Sequence, residues 1–382
     1  MTNEAPTSGR QDVAARLRDY DTCFAEFLRP SGNGQKILQA SLMRAAFRRF
    51  AEQRVAIRPD RATAILDVSC GPGDFSVAWT SDIAQFLPQG MIFYCTDHPR
   101  GASQTGERYT TMTAGKIRAA AQRGELVLAA PPVATDADLF AGGDKLTPPR
   151  TSADIVHWSH SGYHVRDALG TDRDDPAAIE AGIGIAVGKM WAALDLGGVM
   201  LSVHQTRDTS DGVPSEMLPT ARPYCGVLDN LPELIARQVS RLGGNVATVN
   251  FATPLCFAMP GAADWEALKR PAEWDRLGPA ELRILLLLNF SAYDWADPGK
   301  APLERFAGSG HLAAYVDAFK AIVVKNGGFI LAKCALQMIS KSEDVAVKLS
   351  TIAEQLRDEL PGFRRHMLDE MARAAEPGRG AR

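Results

Sequence analysis

The chain carries almost no net charge. Lys and Arg total 42 against 45 for Asp and Glu, a formal balance of −3. Nothing draws the whole molecule towards polyanions, which argues against nucleic acid as its main partner; only a local basic groove would serve one. Paired cysteine motifs are also missing. The six cysteines, at 23, 70, 95, 225, 256 and 334, form no C-x-x-C, and no Cys/His cluster has zinc spacing. Reduced thiols, a cytoplasmic location and no metal are expected. Long apolar runs are absent: residues 182–201 are interrupted by Lys189 and Asp195, and 284–290 is far too short to span a membrane. The opening MTNEAPTSGRQDVAARL has neither the apolar core nor the cleavage site of a signal peptide.

What is present is an ordinary globular composition, 46% hydrophobic and 23% charged. At roughly 150 residues per domain, the length suits two domains, or one large domain with an insertion. Residues 1–10 are small and polar and are expected to be disordered. Residues 11–60 show helical periodicity around a turn cluster, RPSGNG, at 29–34. They are read as N-terminal helices that cover the site. From residue 61 to 255 short apolar runs alternate with helical stretches: 64–68, 91–96, a weaker 125–129, 154–158, 199–203 and 246–251, with a late run at 329–334. This alternation predicts an α/β fold with a seven-stranded, mainly parallel sheet covered on both faces. Residues 207–226 read as a long loop, 256–326 as an inserted helical cap, and 327–340 as the last core strand. The segment 341–382 reads as C-terminal helices, a charged amphipathic pair broken at Pro361 that packs on the surface or forms a homodimer contact.

The strongest local signal is ILDVSCGPGDFS, residues 65–76. An apolar strand ends in an acidic residue, passes through small residues and enters a helix. Gly71 and Gly73 allow positive φ and close approach of a ligand. The helix start behind them offers free amides. The next strand ends at Asp97 and His98, where a carboxylate can accept both hydrogen bonds of a ribose diol. A dinucleotide fingerprint, G-x-G-x-x-G/A, is nearly matched by Gly71, Gly73 and Ser76, so an NAD(P)-dependent oxidoreductase is the alternative.

ILDVSCGPGDFS resembles the first motif of class I S-adenosylmethionine-dependent methyltransferases. That resemblance implies a Rossmann-like methyltransferase sheet and S-adenosylmethionine as cofactor. It places the cofactor's amino group on Asp67, directly or through water. The implied cofactor site also takes in Ser69, Gly71, Gly73, Asp97, His98, Ser159 and Tyr20. Ser69 departs from the family, which often has a further glycine there.

The segment after the fourth strand, WSHSGYHV at 158–165, faces the place of methyl transfer. The Asn/Asp-Pro-Pro-aromatic motif of DNA and protein amino-methyltransferases is absent from it. HSGYHV, FAEFLRPSG, LLLLNF and KNGGFI together are similar to histamine N-methyltransferase and related small-molecule methyltransferases. This similarity implies an acceptor held by Arg29, His160 and Asn326. The family has an acidic residue where this chain has Arg29, which shifts the expected acceptor from an amine towards a carboxylate-bearing or amino-acid-like metabolite. His160, His164 and Tyr163 are the catalytic candidates and His204 a further acceptor contact; each also has an ordinary reading as a packed or hydrogen-bonded residue. Trp265, Trp274, Tyr293 and Trp295 read as the cap's small core, and His157 as strand packing. A non-methylating S-adenosylmethionine-binding protein is the third reading.

Overall fold

The computed structural model describes residues 12–29, 32–103, 105–143, 146, 152–225, 228, 230–257, 263–292 and 300–375. The expectations for residues 1–10, Tyr293 and Trp295 lie outside the described residues. The strands are β1 Thr63–Val68, β2 Met91–Asp97, β3 Val133–Asp136, β4 Ala153–Ser159, β5 Leu194–Gln205, β6 Asn245–Cys256 and β7 Phe329–Ser340. The helices are α1 Val13–Arg18, α2 Tyr20–Leu28, α3 Gln35–Gln53, α4 Asp74–Ile83, α5 Tyr109–Gln122, α6 Val165–Leu169, α7 Pro176–Ala193, α8 Met217–Cys225, α9 Leu231–Arg241, α10 Trp265–Leu268, α11 Pro279–Ser291, α12 Pro302–Ser309, α13 Leu312–Lys325 and α14 Glu343–Ala375.

The seven strands form one sheet in the order β3-β2-β1-β4-β5-β7-β6. β7 runs antiparallel to both its neighbours, and the other pairings are parallel. The chain reverses its direction of winding between β1 and β4. A crevice opens beyond the carboxyl ends of the strands at such a reversal, and ligands bind there in open α/β sheets. The expected seven-stranded, mainly parallel sheet is therefore present.

Three apolar cores hold the fold. One side of the sheet packs against α3, α4, α5 and α14 around Phe47, Phe50, Trp79 and Phe93. The other packs against α7 and α9 around Trp158, Ile183, Val187 and Ile235. A third core joins α1 and α2 to α8 and α10–α13. The run Ile284–Leu288 in α11 is no more than 1% exposed at any position. A helix apolar on every side must be enclosed, and the surrounding helices of the cap enclose it. Asn289, fully buried, ties two of them down: Nδ2 donates to the Leu17 carbonyl at 2.8 Å, and Oδ1 accepts from the Leu303 amide at 3.2 Å.

Four expectations change. Residues 125–129 form only a bridge, Met91 to Leu128, and the third strand is Val133–Asp136. This edge strand is mostly exposed, so it has no apolar alternation to announce it. The stretch 207–226 contains α8 rather than loop alone. Residues 11–60 do not act as one layer: α1 and α2 belong to the cap core, α3 to the sheet core. Finally, α14 runs through Pro361 as one helix. A proline removes one helical hydrogen bond, but a stripe from Leu349 to Met371 stays buried on both sides of it and holds the helix together.

Candidate active site

The turn after β1 is shaped by left-handed backbone. Ser69, Gly71 and Gly73 have φ of 57°, 56° and 87°. The two glycines serve different ends. A Cβ on Gly73 would lie 2.5 Å from Thr113 Oγ1 and 2.7 Å from Thr113 Cα, so α5 can pack here only against glycine. A Cβ on Gly71 would meet nothing within 4 Å. Its surroundings are open. Thr113 Oγ1 donates to the Gly71 carbonyl at 2.8 Å, which joins α5 to the turn.

Asp97, at the end of β2, completes this turn. Its Oδ2 accepts from the Gly71 amide at 2.7 Å and its Oδ1 from the His98 amide at 2.8 Å. The side chain is only half-buried, so each oxygen keeps lone-pair capacity on its open side. Burial pushes the carboxyl above the usual aspartate range, and the two amides partly offset it. His98 itself is turned aside: its Nδ1 accepts from the Arg100 amide, and its Nε2 stands 3.5 Å from Asp138.

Ser69 holds a left-handed conformation without being glycine. That costs about 1–2 kcal/mol. A glycine there gives back about 0.4–1 kcal/mol through the unfolded chain. Ser69→Gly is therefore expected to stabilise the protein by about 0.5–1 kcal/mol, read from urea unfolding; a destabilised variant would mean that the serine side chain compensates for its own strain.

Behind the turn, Asp67 faces inward. Its Oδ1 lies 2.7 Å from His157 Nδ1, and its Oδ2 accepts from Ser76 Oγ at 2.5 Å. The side chain is 3% exposed, and each oxygen already has a partner within the chain. Its partner His157 leans on Trp79, with ring centroids 4.8 Å apart. The pair braces β1, β4 and α4 beneath the turn, so His157 does more than fill space.

The end of β4 carries the catalytic candidates. His160 takes φ of 52°, which turns the chain sharply at the strand end. Gln35 Nε2 lies 2.7 Å from His160 Nε2, and Gln39 Oε1 lies 3.2 Å from the same nitrogen. Gln39 Nε2 also donates to Ser159 Oγ at 2.9 Å. Burial, with Lys36 and two other histidines nearby, holds His160 well below the usual imidazole range, so the ring is neutral. His204 is neutral too, pushed down to about 3 by burial. It accepts from the Gly162 amide through Nε2 at 3.2 Å, which leaves Nδ1–H to donate to Ser202 Oγ at 2.9 Å. Both ring nitrogens of His204 thus serve the fold, although the ring lines the cavity described next.

Between the cap and the sheet lies a cavity of about 110 Å³. Tyr20, Phe24, Phe27 and Phe290 form its aromatic wall, with Phe290 stacked 4.4 Å from Phe27 and 5.6 Å from Phe24. Its polar lining comes from Gln35, Lys36, His160, Tyr163 and Gln205, with the charged side chains of Arg166, Asp167 and Arg173. Tyr20 and Tyr163 share a side-chain hydrogen bond. The Lys36 ammonium sits 3.9 Å over the Phe75 ring. Desolvation pulls it down to about 8, partly offset by the attraction of the Asp67 carboxylate.

The site residues expected from sequence divide into two groups. The structure brings together the glycine turn and Asp97, and it brings Tyr20, His160, Tyr163 and His204 to the cavity. Besides Asp67 and His98, placed above, it sets three others elsewhere. Arg29 caps the end of α2 with its side chain 57% exposed, 3.4 Å from Glu26. Asn326 donates to the Glu216 carboxylate at 2.8 Å, outside the cavity lining. His164 also lies outside that lining, with Nδ1 2.8 Å from Asp167. Gln35, Lys36 and Gln39 were not anticipated. The available signal was the pair of amides four residues apart on an otherwise apolar helical face.

No protein-family profile matches the chain, and no curated protein matches it. Among solved structures, the chain is similar to a protein from Bacillus halodurans described as a putative methyltransferase. The two are 14% identical, with 76% of this chain and 96% of that one covered and a TM-score of 0.38. It is similar also to a SAM-dependent methyltransferase from Thiobacillus denitrificans in complex with S-adenosyl-L-homocysteine, at 13% identity, 85% and 96% coverage and a TM-score of 0.38. A third likeness is to the cyclase SpnF, at 15% identity, 78% and 80% coverage and a TM-score of 0.35. Identities this low leave the functional reading to the geometry of the site itself.

Proposed function

We propose that the chain is an S-adenosylmethionine-dependent methyltransferase that acts on N, O or S of a small molecule with an aromatic or apolar body. One observation carries this reading. The amide of Gly71 is bound to the Asp97 carboxylate at the end of β1 and β2 in front of open space, and a partly open aromatic cavity lies at the end of the neighbouring strand β4.

The residues suit the cofactor. Asp97 presents a carboxylate whose geometry two amides fix and whose open side can accept a ribose diol. The bare Gly71 lets a ligand approach the backbone. The close helix packing that a dinucleotide fingerprint asks of its third glycine falls here on Ser76, which is committed to Asp67. When bound, the cofactor supplies a methyl group on a sulfonium that leaves readily.

The protein's part is alignment and exclusion of water. Tyr20 and Tyr163 close the cavity over the strand ends. The aromatic wall accepts a flat or apolar acceptor. His160, neutral because it is buried, is a weak base whose Nε2 already lies 2.7 Å from the Gln35 amide nitrogen, so it could take a proton from an acceptor N–H or O–H only after that contact breaks. A thioether acceptor would need no such base. Arg29 gives no support to a carboxylate-bearing acceptor, because that guanidinium stands on the surface, while Arg166 and Arg173, with Asp167, line the cavity.

S-adenosylhomocysteine should raise the melting temperature of the protein, and NAD or NADP should not. With a panel of aromatic amines, phenols and thiols, labelled methyl should leave S-adenosylmethionine. Protection by a nicotinamide cofactor instead would overturn the reading. Protection by S-adenosylhomocysteine with no methyl consumed would favour a binding protein over an enzyme.

A further inference from the structure

One positive charge stands between the glycine turn and the aromatic cavity. Lys36 is the second residue of α3. Its ammonium lies over the ring of Phe75, the second residue of α4, just past Gly73. The same side chain lines the cavity at the end of β4.

The place is unfavourable for an ammonium. The first turn of a helix carries the positive end of its dipole, which repels a cation, and no acidic residue stands in this one. Asp67 of β1 attracts the charge, but its oxygens are held by His157 and Ser76. Burial keeps Cys334 of β7 a thiol, pushed up to about 12. His160 of β4 and His204 of β5 are neutral. The other charged groups of the cavity are engaged on the segment after β4. Asp167 lies 2.8 Å from His164 Nδ1, and Arg166 donates to the Arg173 carbonyl at 3.1 Å and pairs with Asp174. Among the described residues Lys36 has no hydrogen bond and no ion pair; its close partner is the Phe75 ring. A half-buried cation that faces a cavity without a counter-charge favours an anion there.

We infer that Lys36 is the counter-ion of the methyl acceptor, and that the acceptor is an aromatic O–H or S–H acid, a phenol or thiophenol held as its anion, rather than an amine. This role in the reaction rests on the methyltransferase reading; the ion pair itself needs only the cavity. The aromatic wall suits the ring. The acid's proton passes to the Lys36 amine, which desolvation makes available near neutral pH, and an anion beside an ammonium results. Methyl transfer to that anion forms one O–C or S–C bond and breaks one S–C bond, whose electron pair stays on sulfur. The proton then leaves Lys36 for water. A protonated amine would meet a like charge at the same place.

Absorbance titration of the full chain tests the pair with 4-nitrophenol and 4-nitrothiophenol, whose anions are yellow. At least one should bind saturably, and in the native chain the bound dye should ionise about one pH unit or more below its value in water. Lys36→Met and Lys36→Gln remove a charge that no carboxylate pairs, so the melting temperature should hold. In both, the bound dye should ionise at or above its value in water, since burial disfavours the anion. Arg166→Met should keep the shift. With labelled S-adenosylmethionine, 4-methylphenol or 4-methylthiophenol should take up methyl and 4-methylaniline should not. The proposal is overturned by no saturable binding of either dye at millimolar concentration, or by equal ionisation in the native chain and the Lys36 variants. A shift lost in Arg166→Met and kept in the Lys36 variants overturns it too, as does methylation of the aniline as fast as of the phenol and thiol. A native chain that shifts the dye but binds no S-adenosylhomocysteine would remove the methyltransferase reading and leave the ion pair standing.

Discussion

Asp97→Ala is expected to weaken S-adenosylhomocysteine binding by about a hundredfold to ten-thousandfold, since two hydrogen bonds to a charged oxygen contribute about 1.5–3 kcal/mol each. The fold should lose far less. The partners of this carboxylate within the chain are two backbone amides at a half-exposed site, and water can replace it there. Calorimetry and urea unfolding on the same variant separate the two effects; unchanged affinity would mean that the ribose lies elsewhere. A pH dependence follows as well. Burial raises this carboxyl, so its protonation begins above the ordinary aspartate range. Affinity should fall as pH drops through that raised value, because the protonated form presents one acceptor fewer. In Asp97→Asn the acid limb should vanish and affinity should stay low throughout.

Gly73→Ala is expected to destabilise the fold by about 2–5 kcal/mol. The left-handed backbone accounts for about 1–2 kcal/mol of this, and crowding adds about 1–3 kcal/mol. The crowding is severe because one of the atoms met is Thr113 Cα, which cannot swing away as a side-chain tip would. Gly71→Ala provides the contrast. Its new methyl meets nothing, so only the strain of about 1–2 kcal/mol remains. The penalty should appear in cofactor affinity instead, since the methyl occupies the open side of the turn. Equal stability loss in the two variants would show that the open space at residue 71 is not real.

What could be read from sequence follows from how locally each feature is determined. The β1 turn was legible because strand, glycines and helix start are contiguous, and Asp97 because it ends the next apolar strand. The true third strand was hidden: VATD is short and exposed, while ELVLA nearby has the better apolar pattern and forms only a bridge. Asp67 illustrates a different limit. A sequence shows a carboxylate at a strand end but not that His157, brought alongside by the register of β4, will occupy it. Arg29 and Asn326 were assigned by resemblance alone, and helix ends orient them towards Glu26 and Glu216. The glutamines of α3 became meaningful only when the fold carried that helix across the end of β4.

The sealed surroundings of α11 also bear on how molecules enter and leave. Lifting that helix from its neighbours would wet five large aliphatic side chains, at roughly 10 kcal/mol in all. By contrast, α2 meets the segment after β4 and the start of α5 through side-chain hydrogen bonds, between Tyr20 and Tyr163 and from the Tyr109 hydroxyl to the Asp21 carboxylate, contacts that water can replace at little cost. The cheapest doorway is therefore along the near edge of α2, and the rate of passage through it should depend on three phenol groups rather than on the greasy interior of the cap.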